Sequence, residues 1–163
     1  MKPHADAAGH LPDPQNPPSL TPQALTEFLH AQIPLTAAMA LRVTHADAQH
    51  LRVLAPLAPN RNPHGTVFGG SLATLGIVAG WTLLYRALAA ERLFPALVIQ
   101  HYDCDYLLPA DREFAAEARL PDDWPRFIET LRTRQRARCD VAVQLSCDDR
   151  VVLTAQAKYA ARS

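Results

Sequence analysis

From Thr66 to Tyr85 no charged side chain interrupts the chain, and the apolar positions favour no single face. That pattern predicts one long buried helix from Gly69 to about Ala90. Past Pro95 the pattern changes to alternation, predicting strands over Ala96–Leu107, Arg112–Leu120, Arg134–Cys147 and Val151–Ala160, with a helical turn from Asp122 to about Thr130. Ahead of the long helix, Ala38–Thr44 and His50–Leu57 flank the polar Ala46-Asp47-Ala48 and read as a hairpin. Thr21-Pro22 is a helix start, followed by Leu25, Phe28 and Leu29 on one face and a stop before Ile33-Pro34. Residues 58–65 are turn chemistry throughout. The sum is an α+β domain in which an antiparallel sheet wraps around a helix.

The uncharged helix has a second reading. It is long enough to cross a bilayer at about 20 residues, and Gly76 and Gly80 form the small-residue spacing of packed membrane helices. Against it, Gly69, Gly70, Ser71 and Thr74 make the first turns weakly apolar, and the amphipathic strands need something to cover. The buried-helix reading is preferred, with small residues at 69, 70, 73, 76, 79 and 80 letting the sheet backbone approach.

Composition narrows this further. At 163 residues and 48% hydrophobic content the chain suits one cored domain and excludes wholesale disorder. Residues 1–22 carry six of the fourteen prolines, so residues 1–20 are expected to be a disordered or loosely docked arm ahead of a domain over 21–163. Sixteen basic and sixteen acidic side chains argue against a nucleic-acid coat. The three cysteines, Cys104, Cys139 and Cys147, form neither a disulfide framework nor a CxxC site, and the first residues lack a signal-peptide run, so a cytoplasmic location is expected. The seven histidines show no HxxxH spacing, so neither a metal nor a cofactor is expected.

The run Asn60-Arg61-Asn62-Pro63-His64-Gly65-Thr66-Val67-Phe68-Gly69-Gly70-Ser71-Leu72 resembles the loop-to-helix motif of hot-dog-fold thioesterases, and most closely the YiiD C-terminal type. Val98-Ile99-Gln100, Tyr106-Leu107-Leu108-Pro109-Ala110 and the basic stretch Arg134–Arg138 are similar to later parts of that family, the likeness covering about residues 22–161. The resemblance implies a hot-dog fold and a homodimer, with a dimer-of-dimers tetramer as the alternative. It also implies an interfacial active site acting on an acyl thioester of coenzyme A or acyl carrier protein. Phenylacetyl-CoA-type relatives carry a water-activating carboxylate seven residues beyond the second glycine; here that position is Ile77, and their histidine before the glycine pair is Phe68.

Thioester hydrolysis needs a polariser for the carbonyl oxygen, a water and a grip on the carrier. The N–H groups of Gly69 and Gly70 at a helix start suit an oxyanion hole, or the glycines merely permit tight packing. Asn60, Asn62 and His64 precede that start at alternating positions and either orient water and take a proton or satisfy their own loop. Ser71 and Thr74 hold water or cap the helix and, with Phe68, count as substrate-binding residues. Leu75, Ile77, Trp81 and Tyr85 are candidates for setting pocket depth. Strict alternation puts Val98, Gln100, Tyr102, Cys104 and Tyr106 on one face, so Gln100 lines an acyl pocket, while Asp103 and Asp105 on the other are bases in a dimer cleft or plain solvent-facing carboxylates. Cys104 is expected to be core filling. Arg132, Arg134, Arg136 and Arg138 share one strand face, which grips phosphates or an acidic carrier, or keeps an outer sheet face soluble. Interleaved aromatics for stacking bases are absent, so no nucleic-acid partner is expected. The leading reading is an acyl-CoA or acyl-carrier-protein thioesterase; the alternative is a non-catalytic module binding the same thioesters.

Overall fold

A computed structural model describes residues 19–163; residues 1–18, most of the expected arm, lie outside the described residues. The elements run α1 (Pro22–Gln32), α2 (Pro34–Ala38), β1 (Arg42–Ala46), β2 (His50–Ala55), a 3-10 turn (Ala58–Asn60), α3 (Gly69–Ala90), β3 (Ala96–Tyr106), β4 (Phe114–Arg119), α4 (Trp124–Arg134), β5 (Arg136–Cys147) and β6 (Arg150–Arg162). Six antiparallel strands form one sheet in the order β1-β2-β4-β5-β6-β3. One face of the sheet packs on α3 around Leu72, Leu75, Leu83, Val141, Leu145 and Tyr159. This is the wrapped-helix architecture the pattern predicts.

The buried helix is confirmed in kind and refined in degree. Two-thirds of its most apolar window (67%) is buried, while Thr74, Ile77, Trp81 and Tyr85 form a half-exposed stripe spaced by helical turns. Phe28 of α1 stacks on Tyr85 with ring centres 4.8 Å apart, and Tyr85 on Trp81 at 5.2 Å, so α1 covers the C-terminal part of the stripe. The glycine pair is not approached by sheet backbone. A Cβ at Gly76 would collide with the Tyr102 hydroxyl, and one at Gly80 with the Tyr159 hydroxyl. Tyr159 Oη donates to the Ile77 carbonyl at 2.7 Å. Tyr102 Oη is buried with no partner among the described residues, and burial pushes both phenols well above their ordinary pKa.

Several expectations are corrected. The first hairpin strand begins at Arg42, because Pro34 starts a separate short helix (α2) through Ala38, and Ala40 then turns the chain at φ 52°. The helical turn near 122–130 is an eleven-residue helix, α4, closed by Gln135 in the left-handed region (φ 56°). Strict alternation along β3 fails because pairing with β6 shifts register between Ile99 and His101. That bulge puts Leu97 and Ile99 on the helix side with Tyr102 and Cys104, and turns Val98, Gln100, Asp103 and Asp105 outward.

The two tyrosines should behave oppositely. Tyr159→Phe deletes a bond inside the core and should cost about 1 kcal/mol, whereas Tyr102→Phe removes an unpartnered buried hydroxyl and should be neutral or stabilising by about 1 kcal/mol. Urea unfolding of the two variants beside wild type checks this; equal destabilisation would contradict the assignment.

Candidate functional site

The loop before α3 is built by its own polar groups. Asn62 Nδ2 donates to Thr66 Oγ1 at 2.9 Å, while Asn62 Oδ1 accepts from the backbone N–H of His64 (2.9 Å) and Thr66 (3.2 Å). Gly65 sits in the turn at φ 79°, which a side-chain-bearing residue would resist. Val67 N–H donates to the Ala110 carbonyl at 2.7 Å, tying the loop to the segment after β3. The Asn62 side chain is therefore committed to the loop, and His64 stands exposed at its tip.

Asn60 differs. It is 2% exposed, and its Nδ2 donates to the carbonyls of Met39 (2.9 Å) and Pro56 (2.8 Å). Its own carbonyl accepts from Phe68 N–H at 2.7 Å, which fixes where α3 begins. Its Oδ1 is buried without a partner among the described residues. An empty buried acceptor is costly and calls for a reason.

Phe68, extended at φ −61° and ψ 132°, ends the loop without a side-chain cap. Its carbonyl takes the N–H groups of Ser71 (2.9 Å) and Leu72 (3.2 Å), while those of Gly69 and Gly70 find no backbone acceptor among the described residues. Both carry the positive end of a 22-residue helix. Tyr106 Oη donates to the Gly69 carbonyl at 2.9 Å and so anchors the first turn to the end of β3. The exposed Phe68 ring covers Gly70 so closely that a Cβ there would collide with it. Beside these glycines lies a mainly apolar groove of about 290 Å³ between α2 and α3, bordered by Leu35, Met39, Asn60, Phe68, Gly70, Ser71 and Thr74.

The fold thus gathers Asn60, Phe68, Gly70, Ser71 and Thr74 at one groove, with Gly69 beside it. It does not bring the remaining expected residues there. Gln100, turned outward by the bulge, accepts from Arg138 Nε at 2.7 Å instead of facing an acyl pocket. Asp103 and Asp105 lie exposed on the outer sheet face, opposite Gln156 and Thr154. The arginine row is broken by an element boundary: Arg132 and Arg134 end α4, and Arg132 pairs with Glu91 at 2.8 Å. Arg134, Arg136 and Arg138 still converge on a second, wider groove of about 630 Å³, joined by Arg162 of β6, which is the register partner of Arg136. Arg162 was not legible, since only strand register brings it there. Gln100 lies six residues before Tyr106, so this groove is about 20 Å along β3 from the helix start and on the other face. On α3 no carboxylate occurs; Ile77 is half-buried, its carbonyl taken by Tyr159.

A family model described as "Putative thioesterase (yiiD_Cterm)" matches residues 22–163. A solved Shewanella oneidensis protein described as a "putative thioesterase" is 27% identical, with TM-score 0.79 over 85% of this chain and 95% of its own. A Chlorobaculum tepidum protein of unknown function superposes with TM-score 0.83 at 24% identity, over 89% of this chain and 98% of that one. A Pseudomonas aeruginosa protein of unknown function, described as a probable thioesterase, gives TM-score 0.73 at 23% identity over 88% and 97% of the two chains. The last two likenesses are of fold alone.

The two asparagines separate by stability. Asn60→Ala strands two carbonyls in the interior and should cost about 2–3 kcal/mol. Asn62→Ala should cost about 1 kcal/mol, because solvent reaches its loop partners. Denaturant midpoints decide; the reverse order would mean that the loop, not the buried amide, holds the helix start.

Proposed function

The chain belongs to the thioesterase family of the YiiD C-terminal type, and from that premise we propose that it hydrolyses acyl thioesters of coenzyme A or acyl carrier protein at the start of α3. The observation that carries this reading is the pair of unpartnered N–H groups of Gly69 and Gly70 beside an apolar groove. The acyl chain lies in the groove between α2 and α3, with its carbonyl oxygen toward the two glycines. The groove's volume is near the lower end of ligand pockets, about 300 Å³, which favours short-to-medium acyl groups.

Water adds to the carbonyl carbon and the oxygen becomes an oxyanion held by the Gly69 and Gly70 N–H groups. That charge develops where the helix dipole is positive. The tetrahedral intermediate collapses by breaking the C–S bond, and the water's proton passes to the departing thiolate or to solvent. A thiolate is a far better leaving group than an alkoxide or an amide anion and departs without an acid. Asn60 borders the groove with its Oδ1 buried; through Nδ2 to Met39 and Pro56 and its carbonyl to Phe68 it holds the two glycine N–H groups in place, a positioning residue and not a base. Activation by a carboxylate at Ile77 being absent, turnover is modest.

Among the described residues β3 is an open sheet edge, and Val98, Tyr106, Leu107 and Leu108 are large apolar side chains exposed on or beside it. These features support a homodimer paired through β3. The Arg134, Arg136, Arg138 groove then acts as the carrier contact near the pairing edge rather than in the reaction, while Asp103, an anion that phosphates and an acidic carrier would repel, stays out of it. A cytoplasmic location would keep the three free cysteines reduced. The second reading, a binding module that holds thioesters without cleaving them, is favoured by the lack of any carboxylate on α3.

The test is thiol release from acyl-CoAs of increasing length, assayed across size-resolved fractions of the full chain. Cys139 and Cys147 are buried, and burial, with Asp123 and Asp140 nearby, pushes the Cys139 thiol up to about 12, so Cys104 should dominate the substrate-free dye background. Activity should travel with the species of twice 17.9 kDa. Gly69→Pro removes one N–H at a first-turn position where Phe68 is already extended. It should lower kcat by about 100-fold, while Gly69→Ala, which keeps the N–H, stays within about threefold of wild type. Equal rates for the two variants would remove Gly69 from the mechanism, and no release with any substrate would favour the binding module.

A further inference from the structure

At the sheet edge opposite β3, the β1–β2 hairpin gathers His45, Asp47 and His50, none of which borders the groove at α3. Their sequence spacing, His-x-Asp-x-x-His, hides their proximity, because the turn between the strands folds one histidine back beside the other. One ligating atom of each lies within 4.8 Å of the other two. His45 Nε2 stands 2.9 Å from Asp47 Oδ2, and the two imidazole rings are 5.1 Å apart centre to centre.

The surroundings orient these donors. Asp47 Oδ1 accepts from the backbone N–H groups of Gln49 and His50, each at 2.8 Å, which leaves Oδ2 free toward His45. On the neighbouring strand β4, Glu117 meets His50 Nε2 at 3.2 Å and is itself held by Arg52 Nε at 3.4 Å. With His50 donating Nε2–H to Glu117, the ring keeps its lone pair on Nδ1. A carboxylate behind an imidazole is the arrangement that fixes the tautomer and raises the basicity of histidine ligands.

We propose that this hairpin binds a divalent transition-metal ion through His45, Asp47 and His50, with water completing the coordination. Two imidazoles with one carboxylate suit zinc, nickel or cobalt, and disfavour magnesium or calcium, which take all-oxygen ligands. Tetrahedral bonds of about 2.0–2.1 Å put ligand atoms roughly 3.4 Å apart. The His45 side chain, 49% exposed, has room to turn toward that spacing while Asp47 keeps its turn hydrogen bonds. The bound ion clamps the edge strand β1 onto β2 and takes no part in thioester chemistry.

Calorimetric titration of the full chain with zinc, and separately with magnesium, tests the site. One zinc per chain should bind with at least about tenfold preference over magnesium. His45→Ala and Asp47→Asn should each weaken zinc binding by about tenfold or more, whereas His101→Ala, on the distant β3, leaves it unchanged. Asp47→Asn keeps the turn acceptor while replacing the ligand oxygen, so it separates loss of a ligand from loss of the hairpin, and circular dichroism verifies the fold of each variant. Zinc bound no more tightly than magnesium, or with equal affinity by wild type and both hairpin variants, overturns the proposal.

Discussion

The position of α3 against the sheet is what the rest of the molecule depends on. A helix with no charged residue before Arg86 cannot be located by ion pairs, so hydrogen bonds from aromatic side chains locate it. Tyr106 Oη holds the Gly69 carbonyl, Tyr159 Oη holds that of Ile77, and Trp81 Nε1 donates to the Leu97 carbonyl at 3.0 Å. These three tethers link β3 and β6 to the first, middle and later turns. The two interior glycines matter because they leave room for tyrosine rings, which a Cβ would exclude. One hydrogen bond of this kind contributes only about 1 kcal/mol, but three along one helix fix its axial position.

With the helix start so fixed, a short rigid loop does the rest. Asn62 closes the loop on itself, and Asn60 joins it to the end of α2 and to Phe68. The outcome is a helix whose first donors are left open beside an apolar groove. Polarising donors without a carboxylate are enough for a reaction whose leaving group departs unaided, and insufficient for one that needs strong base. On the function proposed above, such a site suits thioesters better than amides or ordinary esters.

Much of this was legible in the sequence because it follows from period. The uncharged run, with the alanines that follow it, places α3, and alternation finds β3 to β6 within a few residues. What stayed hidden depends on contacts between distant segments. One bulge, set by pairing with β6, reverses the faces of half of β3 and sends Gln100 to Arg138 rather than to a pocket. A left-handed Gln135 cuts an alternating arginine row into a helix end and a strand start, yet three of its members reconverge with Arg162. Residue type cannot tell which amide is used up by its loop and which keeps a buried oxygen without a partner.

The most direct measurement follows the Gly69 and Gly70 amides by nuclear magnetic resonance while a coenzyme A analogue is added. In that analogue a methylene replaces the thioester sulfur, so the carbonyl remains and cannot be cleaved. If the helix start polarises the carbonyl, these two amide protons move downfield more than any others, with the Asn60 signals shifting alongside them. An analogue that binds while the resonances of Gly69, Gly70 and Asn60 stay in place would contradict the account.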